Sequence, residues 1–359
     1  MDPSAFFKMM VEKNASDMFF SVGAPLSIKI EGKLQPTSDS RLKPGSVKDI
    51  AYNLMNDKQI REFEEILEMN FGVSITGVGR FRVNVYRQRG EVAMVVRYVK
   101  IEIPSVEELG LPPILNELIM QPRGLILVAG ATGTGKSTTM SAMIEFRNQN
   151  TACHVITIED PIEFMYTNKS SIVDQREVGI DTLSFNNALV NAMREAPDVI
   201  LIGEVRDADT MHHAMAYADT GHLCLATIHA NNADQTMDRV INFFDKSARE
   251  QLLMDLSLNL RAIIAQRLVM SVSEKRIPAI EILLNTPHIS ELIHAGELKE
   301  IKEAMDKAHE PGLCTFDQAL FKLFTAKRIT KEEALHHADS PNDLSLKMRF
   351  GVDEGMGAY

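Results

Sequence analysis

Residues 130–137 read GATGTGKS and match the pattern G-x-x-x-x-G-K-[ST]. An apolar run at 125–129 precedes this loop, and a helical pattern at 137–146 follows it. In that context the glycines allow backbone N–H groups to surround a phosphate chain, and the start of the helix adds partial positive charge. Lys136 would carry a cation to the β- and γ-phosphates, and Ser137 would offer a hydroxyl to Mg²⁺. The stretch therefore predicts a nucleoside triphosphate site rather than a simple tight turn.

The sequence on both sides of this loop has the pattern of an α/β fold. Short apolar runs without alternation occur at 124–129, 154–158, 198–202 and 223–228, which is typical of a parallel sheet covered by helices on both faces. Residues 1–100 mix helical and alternating strand patterns, as an α+β module does. We predict an N-terminal domain at 1–100, a proline-containing linker at 101–117, an α/β domain at 118–286, a helical appendage at 287–340 and a disordered tail at 341–359.

Composition and charge exclude several classes of function. The 359-residue chain has 38 Lys and Arg residues against 49 Asp and Glu, a formal net charge of −11 that argues against holding nucleic acid by bulk electrostatics. Three cysteines without CxxC spacing exclude a disulfide scaffold and a cysteine-based zinc site, and they fit a reducing compartment. Without a signal-peptide pattern or a long apolar run, we expect a cytoplasmic protein with no membrane span.

Two strand ends supply carboxylates that phosphoryl transfer needs. The apolar run at 199–202 leads to Glu204, which is the Walker B arrangement of an acid facing a metal ion. The stretch IEDPIE at 158–163 places three carboxylates around Pro161. Either stretch could instead be a solvated surface turn, but a neighbouring phosphate loop favours the functional interpretation of Glu204.

Histidines and arginines provide further candidates with open alternatives. His222 and His229 stand at the two ends of the apolar run 223–228, which suits γ-phosphate sensing or an ordinary structural role. The alternating stretches 79–86 and 91–99 predict a hairpin or two neighbouring strands. One face of this pair is rich in arginine, and a solvated strand face is the alternative interpretation.

Together, four motifs resemble those of the secretion superfamily of hexameric ATPases, in particular the type IV pilus retraction ATPases of the PilT/PilU group. They are a Walker A loop at 130–138, an Asp box at 158–163, a Walker B strand at 199–204 and a His box at 220–231. The resemblance covers about residues 5–285. It implies a PAS-like α+β N-terminal domain, a RecA-like P-loop ATPase domain with the helical C-terminal appendage, and a homohexameric ring that hydrolyses ATP with Mg²⁺.

The resemblance also assigns roles to individual residues. Glu163 would act on the catalytic water, and Glu204 with Ser137 would form the metal site. His229 would contact the γ-phosphate, with His222 supporting it nearby. In this family N-terminal-domain arginines reach a nucleotide held by the adjoining ATPase domain, and Arg82 and Arg97 are the expected carriers here. The expected phosphate-loop ligands are Gly130, Thr132, Gly133, Thr134, Gly135, Lys136, Ser137 and Thr138.

One stretch departs from the PilT-type ATPases, whose signature after the ATPase core is A-I-R-N-L-I. Residues 288–293 read HISELI, so serine replaces the arginine and glutamate replaces the asparagine. With the segment at 312–320 and the longer tail, this looks like the PilU-type branch. The resemblance thus implies an accessory retraction motor. Its expected partners are a primary PilT-type ATPase and an inner-membrane pilus platform protein, which would keep it peripheral at the inner membrane.

Three other functions remain open at this stage. A scaffold ring could bind nucleotide without hydrolysis, although intact Glu163, Glu204 and His229 argue against it. A DNA-translocating motor is disfavoured by the acidic charge, so no nucleic-acid partner is expected. A pilus-assembly or secretion ATPase is disfavoured because these often carry a tetracysteine zinc site, which three dispersed cysteines cannot form.

Overall fold

The computed structural model describes residues 4–30, 32–99, 102–308 and 310–350. Its internal contacts divide the chain into two units. The first comprises the chain up to Glu102 together with Glu163–Met165, and the second comprises the rest. The division after Glu102 falls inside the segment 101–117 that the sequence suggests as a linker.

The first unit is built on an antiparallel sheet with helices against one face. Its elements are α1 (Ser4–Glu12), β1 (Asp17–Phe20), β2 (Pro25–Ile30), β3 (Lys33–Arg41), α2 (Ser46–Leu54), α3 (Asp57–Ile66), β4 (Glu68–Ile75), β5 (Gly79–Gln88) and β6 (Glu91–Val99). The described strands order as β3-β2-β1-β6-β5-β4. The predicted pairing of the two alternating stretches is confirmed, since β5 and β6 are antiparallel neighbours. Phe81, Val83 and Val85 of β5 point into the core, so Arg80 and Arg82 lie on the other face.

The second unit contains the parallel sheet that the non-alternating apolar runs predict. Its elements up to residue 284 are α4 (Ile114–Ile119), β7 (Gly124–Ala129), α5 (Lys136–Asn150), β8 (His154–Glu159), β9 (Ile172–Glu177), α6 (Phe185–Ala192), β10 (Val199–Ile202), α7 (Ala208–Asp219), β11 (Leu223–Ile228), α8 (Ala233–Asn242), α9 (Arg249–Asn259), β12 (Leu260–Met270) and β13 (Arg276–Leu284). The described strands order as β13-β12-β7-β11-β10-β8-β9, and β13 alone of these runs antiparallel to its neighbour. Both faces are buried, because alternate residues of β7 enter two separate apolar clusters. The predicted α/β class is therefore confirmed.

The register of this sheet places the predicted motifs along one edge. Ala129 at the end of β7 lies opposite Ile228 at the end of β11. Ile202, at the end of β10, pairs with Ala226 on one side and Ile158 on the other. The segments that leave β7, β8, β10 and β11 therefore start side by side at the carboxyl edge of the sheet. In open α/β sheets this edge is where ligands bind.

In the described part of the chain after residue 284, five α-helices follow the sheet: α10 (Pro287–Ala295), α11 (Ile301–Lys307), α12 (Phe316–Thr325), α13 (Lys331–His337) and α14 (Pro341–Phe350). They share one apolar cluster with the sheet, through residues such as Ile289, Phe316 and Leu320. Disorder over 341–359 is wrong for the part that the structure describes, because Pro341–Phe350 is helical and buries Leu344 completely. Residues 351–359 lie outside the described residues. Within the described ranges no helix has the length and apolar character to cross a bilayer.

Candidate nucleotide site

The phosphate loop has a backbone shape that only glycine permits. Gly130 has φ of 157°, and a Cβ there would lie 2.4 Å from Thr134 Oγ1 and 2.8 Å from the carbonyl oxygen of Gln266. Gly135 has φ of 89° and is the N-cap of α5. Because glycine brings no capping side chain, the amides of the first helical turn remain directed at a ligand, as an anion site requires.

Lys136 brings a positive charge inside this loop. Its side chain is buried, and Nζ donates to the carbonyl oxygens of Gly130 (2.8 Å) and Ala131 (3.0 Å). Thr134 Oγ1 also donates to Ala131, at 2.9 Å. The lysine thus lies along the inner side of the curve formed by 130–135. A phosphate chain that follows the loop would meet the ammonium directly, which fits the predicted binding of a nucleoside triphosphate.

A residue that sequence reasoning missed supports the loop from the neighbouring strand. Gln266 on β12 accepts a hydrogen bond from Thr139 Oγ1 at 2.6 Å, and both side chains are buried. Its Nε2 lies 3.0 Å from where a Cβ on Gly135 would stand. No spacing in the sequence indicates this contact, because 127 residues separate the two partners. The loop is therefore held by β12 as well as by its own strand.

Glu204 and His229 meet at the carboxyl edge of the sheet. His229 Nε2 lies 3.0 Å from Glu204 Oε1. Arg206 binds the second carboxylate oxygen with Nε at 2.8 Å and Nη2 at 2.6 Å, and its Nη1 lies 3.8 Å from Asp160. The hydrogen bond and charge of Glu204 raise the pKa of Arg206 above its ordinary value. The structure therefore places Glu204 of the Walker B strand and His229 of the His box beside the end of the strand that leads to the phosphate loop, and Arg206 connects Glu204 to Asp160 of the Asp box.

His222 is not part of this arrangement. It precedes β11, whereas His229 follows the strand, so the two histidines lie at opposite edges of the sheet. Six residues at about 3.3 Å each separate them by about 20 Å. His222 Nδ1 instead lies 3.2 Å from the carbonyl oxygen of Tyr217 and 3.1 Å from Thr220 Oγ1. The expectation that His222 supports His229 nearby is therefore wrong within one chain.

Glu163 and the two predicted arginines belong to the first unit. Glu163 is exposed. Arg82 and Arg97 are direct cross-strand partners on the face of the sheet that points away from its core. Arg97 Nε binds Asp17 Oδ1 at 2.8 Å, where the aspartate side chain is only 8% exposed and the arginine is 66% exposed. A buried carboxylate thus holds the arginine while its guanidinium stays open to solvent.

Two side chains of the second unit are the predicted ligands of Mg²⁺, namely those of Ser137 and Glu204. Among the described residues no three His, Cys, Asp or Glu side chains converge as a metal-binding group would. Mg²⁺ usually keeps several waters and binds one or two protein ligands together with substrate phosphates. Ser137 in the first turn of α5 and Glu204 offer such a partial set.

Comparison with known proteins gives consistent matches over most of the chain. The family model "Type II/IV secretion system protein" matches residues 4–314. The type IV pilus ATPase PilU of Pseudomonas aeruginosa is 50% identical over 98% of this chain and 93% of its own length. The type IV pilus retraction ATPase PilT of the same organism is 37% identical over 96% of this chain and its entire length. A crystal structure of the pilus retraction motor PilT with bound ADP is similar with a TM-score of 0.89 and 41% identity, over 95% of this chain and 98% of that one.

Proposed function

The chain belongs to the Type II/IV secretion system protein family, within its PilT/PilU group of ATPases, and on this premise we propose that it works as an accessory, PilU-type hexameric motor in type IV pilus retraction. Its activity is ATP hydrolysis, and the motion that hydrolysis drives would serve twitching motility. The observation that carries the proposal is the meeting of the phosphate loop with the Glu204–His229 pair at one edge of the sheet. A loop with a purely structural role would not need both the glycine-rich phosphate loop and the Glu204–His229 pair.

The residues of the site have distinct proposed tasks. The loop residues 130, 132–135 and 138 and the ammonium of Lys136 bind the phosphates. Ser137 and Glu204 would hold Mg²⁺, which neutralises charge on the β- and γ-phosphates when bound. Glu163 would orient or deprotonate the attacking water. In a ring, Arg82 and Arg97 would come from the N-terminal unit of a neighbouring subunit and stabilise charge on the γ-phosphate.

Force would arise from contacts that depend on the γ-phosphate. His229 pairs with Glu204 at 3.0 Å, so a γ-phosphate beside Glu204 offers the imidazole an alternative partner. Lys136, His229 and the incoming arginines would converge on the triphosphate and separate once the γ-phosphate leaves. The connection near 101–117 would absorb the resulting rotation between the two units of the chain.

The proposed partners follow from the place of the chain in the PilT/PilU group. A primary PilT-type ATPase and an inner-membrane pilus platform protein would receive the motion, and the chain would sit in the cytoplasm against the membrane. A pull-down with both partners tests this, comparing the full chain with a deletion of residues 351–359, which leaves α14 and its buried Leu344 in place. The deletion should weaken capture of the PilT-type ATPase while hydrolysis by the purified chain persists. Equal capture of the PilT-type ATPase by both forms would show that the deleted residues are not part of the docking surface.

Phosphate release from the purified protein tests the site itself. Lys136→Ala should lose nucleotide affinity, because it removes the cation inside the loop. Glu204→Gln should keep nucleotide affinity but lose hydrolysis by roughly 100-fold or more, as expected when a group that acts mainly in the transition state is removed. A phosphate-release rate in Glu204→Gln equal to that of the wild type would contradict the assignment. Wild-type protein that binds ATP without releasing phosphate would instead favour the scaffold alternative.

A further inference from the structure

The loop that carries His229 is held by three contacts from other parts of the second unit. Residues 229–232 connect β11 to α8, so their position decides where the imidazole stands. The contacts run from Arg267 Nη2 to the carbonyl oxygen of Asn231 (3.1 Å), from Asn232 Nδ2 to Asp339 Oδ2 (3.2 Å), and from the N–H of Ala233 to Glu281 Oε1 (2.7 Å).

The same three side chains also hold the C-terminal helices. Arg267 Nη1 donates to the carbonyl oxygen of His337 at 2.5 Å, and Nη2 donates to Asp339 Oδ1 at 2.6 Å. Glu281 Oε2 accepts from the N–H of Phe316, the first residue of α12, at 3.2 Å. Each side chain that holds the His229 loop therefore also holds the appendage. A shift of the loop would disturb the contacts of the appendage, and a shift of the appendage would disturb the loop.

The pair of Arg267 and Asp339 is the centre of this arrangement. Their side chains are 19% and 10% exposed, and Lys302 Nζ binds the other oxygen of Asp339 at 3.0 Å. Burial alone would raise the pKa of Asp339, but the hydrogen bonds and charges of Arg267 and Lys302 outweigh it and lower that pKa. The Arg267 guanidinium also lies 3.9 Å from the centre of the Phe316 ring. The planar fork of an arginine suits such simultaneous contacts better than the point charge of a lysine.

The strand that carries Arg267 also supports the phosphate loop. Gln266 binds Thr139 of α5, and successive residues of a strand point to opposite faces of the sheet. Gln266 therefore supports the start of α5 from one face, while Arg267 holds the His229 loop from the other. Two adjacent residues of β12 connect the phosphate site, the γ-phosphate sensor and the appendage through one rigid element.

We propose that Arg267 and Asp339 are positioning residues for ATP hydrolysis, which hold His229 at the γ-phosphate and make the rate depend on the C-terminal appendage. This inference rests on the proposed role of His229.

Two variants of the full-length protein test the inference. Arg267→Gln and Asp339→Asn each remove the charge of one partner of the ion pair, and Asp339→Asn does so without a change in side-chain size. We expect each to lower kcat by roughly fivefold, because the imidazole of His229 is no longer held in one position and a misplaced group at the site slows the reaction. The affinity ratio between a non-hydrolysable ATP analogue and ADP should fall by a similar factor. Affinity for ADP should not change, because ADP has no γ-phosphate and the contacts of Lys136 remain.

The matched control is Lys302→Gln. Lys302 forms an ion pair with the same carboxylate but makes none of the three contacts to the loop. His229→Ala is the reference for a lost sensor. If His229→Ala loses the preference for the ATP analogue while Arg267→Gln and Asp339→Asn behave like Lys302→Gln, the positioning role proposed for these two residues is wrong. The proposed role of His229 then stands. If His229→Ala keeps that preference, the proposed function of His229 fails first. If Arg267→Gln does not fold, Arg267→Lys takes its place, because it keeps the charge but loses the planar fork of the guanidinium. The affinity ratio between the ATP analogue and ADP then tests the proposal in the same way.

Discussion

Glu281 gives the chain a stability that depends on pH in a direction opposite to that of most carboxylates. Its side chain is 3% exposed, and burial raises its pKa from the ordinary 4.5 to about 7. The N–H groups of Ala233 and Phe316 favour the ionised form and lower the pKa, but burial and the charges of Asp339 and Asp234 outweigh them. The native protein therefore keeps a proton on Glu281 at pH values where the unfolded chain has lost it.

The sign and size of the effect follow from proton linkage. Between pH 4.5 and about 7 the native state binds one proton more than the unfolded state, so the free energy of unfolding falls as pH rises through this window. Below pH 4.5 both states are protonated and the contribution is fully present. The difference between the two pKa values corresponds to at most about 3 kcal/mol, since one pH unit is worth 1.36 kcal/mol.

Glu281→Gln isolates this contribution. Glutamine does not titrate, and its single carbonyl oxygen leaves one of the two N–H donors opposite an amide NH₂, which costs about 1–3 kcal/mol at every pH. Urea unfolding is followed by far-UV circular dichroism from pH 5 to 8 without nucleotide. The wild type should lose about 1–3 kcal/mol relative to the variant across this range. A difference between the two proteins that stays constant with pH would refute the assignment of a raised pKa to Glu281.

Three further predictions concern other residues. Gly130→Ala should abolish nucleotide binding in a fluorescent-ADP titration, because its Cβ would lie 2.4 Å from Thr134 Oγ1, while Gly133→Ala, which meets nothing within 4 Å, should bind better than Gly130→Ala. His222→Gln should change kcat far less than His229→Ala, since of these two histidines it is His229 that contacts Glu204; equal losses in phosphate release would contradict this. Leu344→Ala should destabilise the second unit by about 2–4 kcal/mol in thermal or urea unfolding, because the side chain is fully buried, and a loss below 0.5 kcal/mol would place α14 outside the core.

The sequence was informative wherever the chemistry is local in the chain. The phosphate loop follows directly from its strand, and the alternation of 79–86 predicts which residues of β5 face the core. The placement of Glu204 beside His229 needs one further rule, that parallel strands end at the same edge of a sheet. The same rule argues against His222, because a residue before the strand cannot reach the edge at which that strand ends.

Contacts between residues far apart in the chain could not be predicted in this way. Gln266, Arg267, Glu281 and Asp339 carry no motif, and their partners lie 35 to 127 residues away. The order of residues 341–350 escapes prediction for a related reason. The sequence of α14 has weak helical periodicity, so its order depends on docking Leu344 into a core that the local sequence does not describe.

The substitutions in HISELI change the surface of α10 and leave its packing intact. Ile289, Leu292 and Ile293, which occupy three of the four apolar positions of the PilT-type signature, are buried within the second unit. Ser290 stands where that signature has arginine, and its Oγ donates to the carbonyl oxygen of Ser257 at 2.8 Å. Glu291, in place of asparagine, is exposed. Compared with the signature, α10 lacks a cation at residue 290 and carries an additional carboxylate at residue 291, and neither residue is among the anchors of the His229 loop. A motor that keeps its hydrolytic site but presents a different charge to its partner is what the proposed accessory role requires.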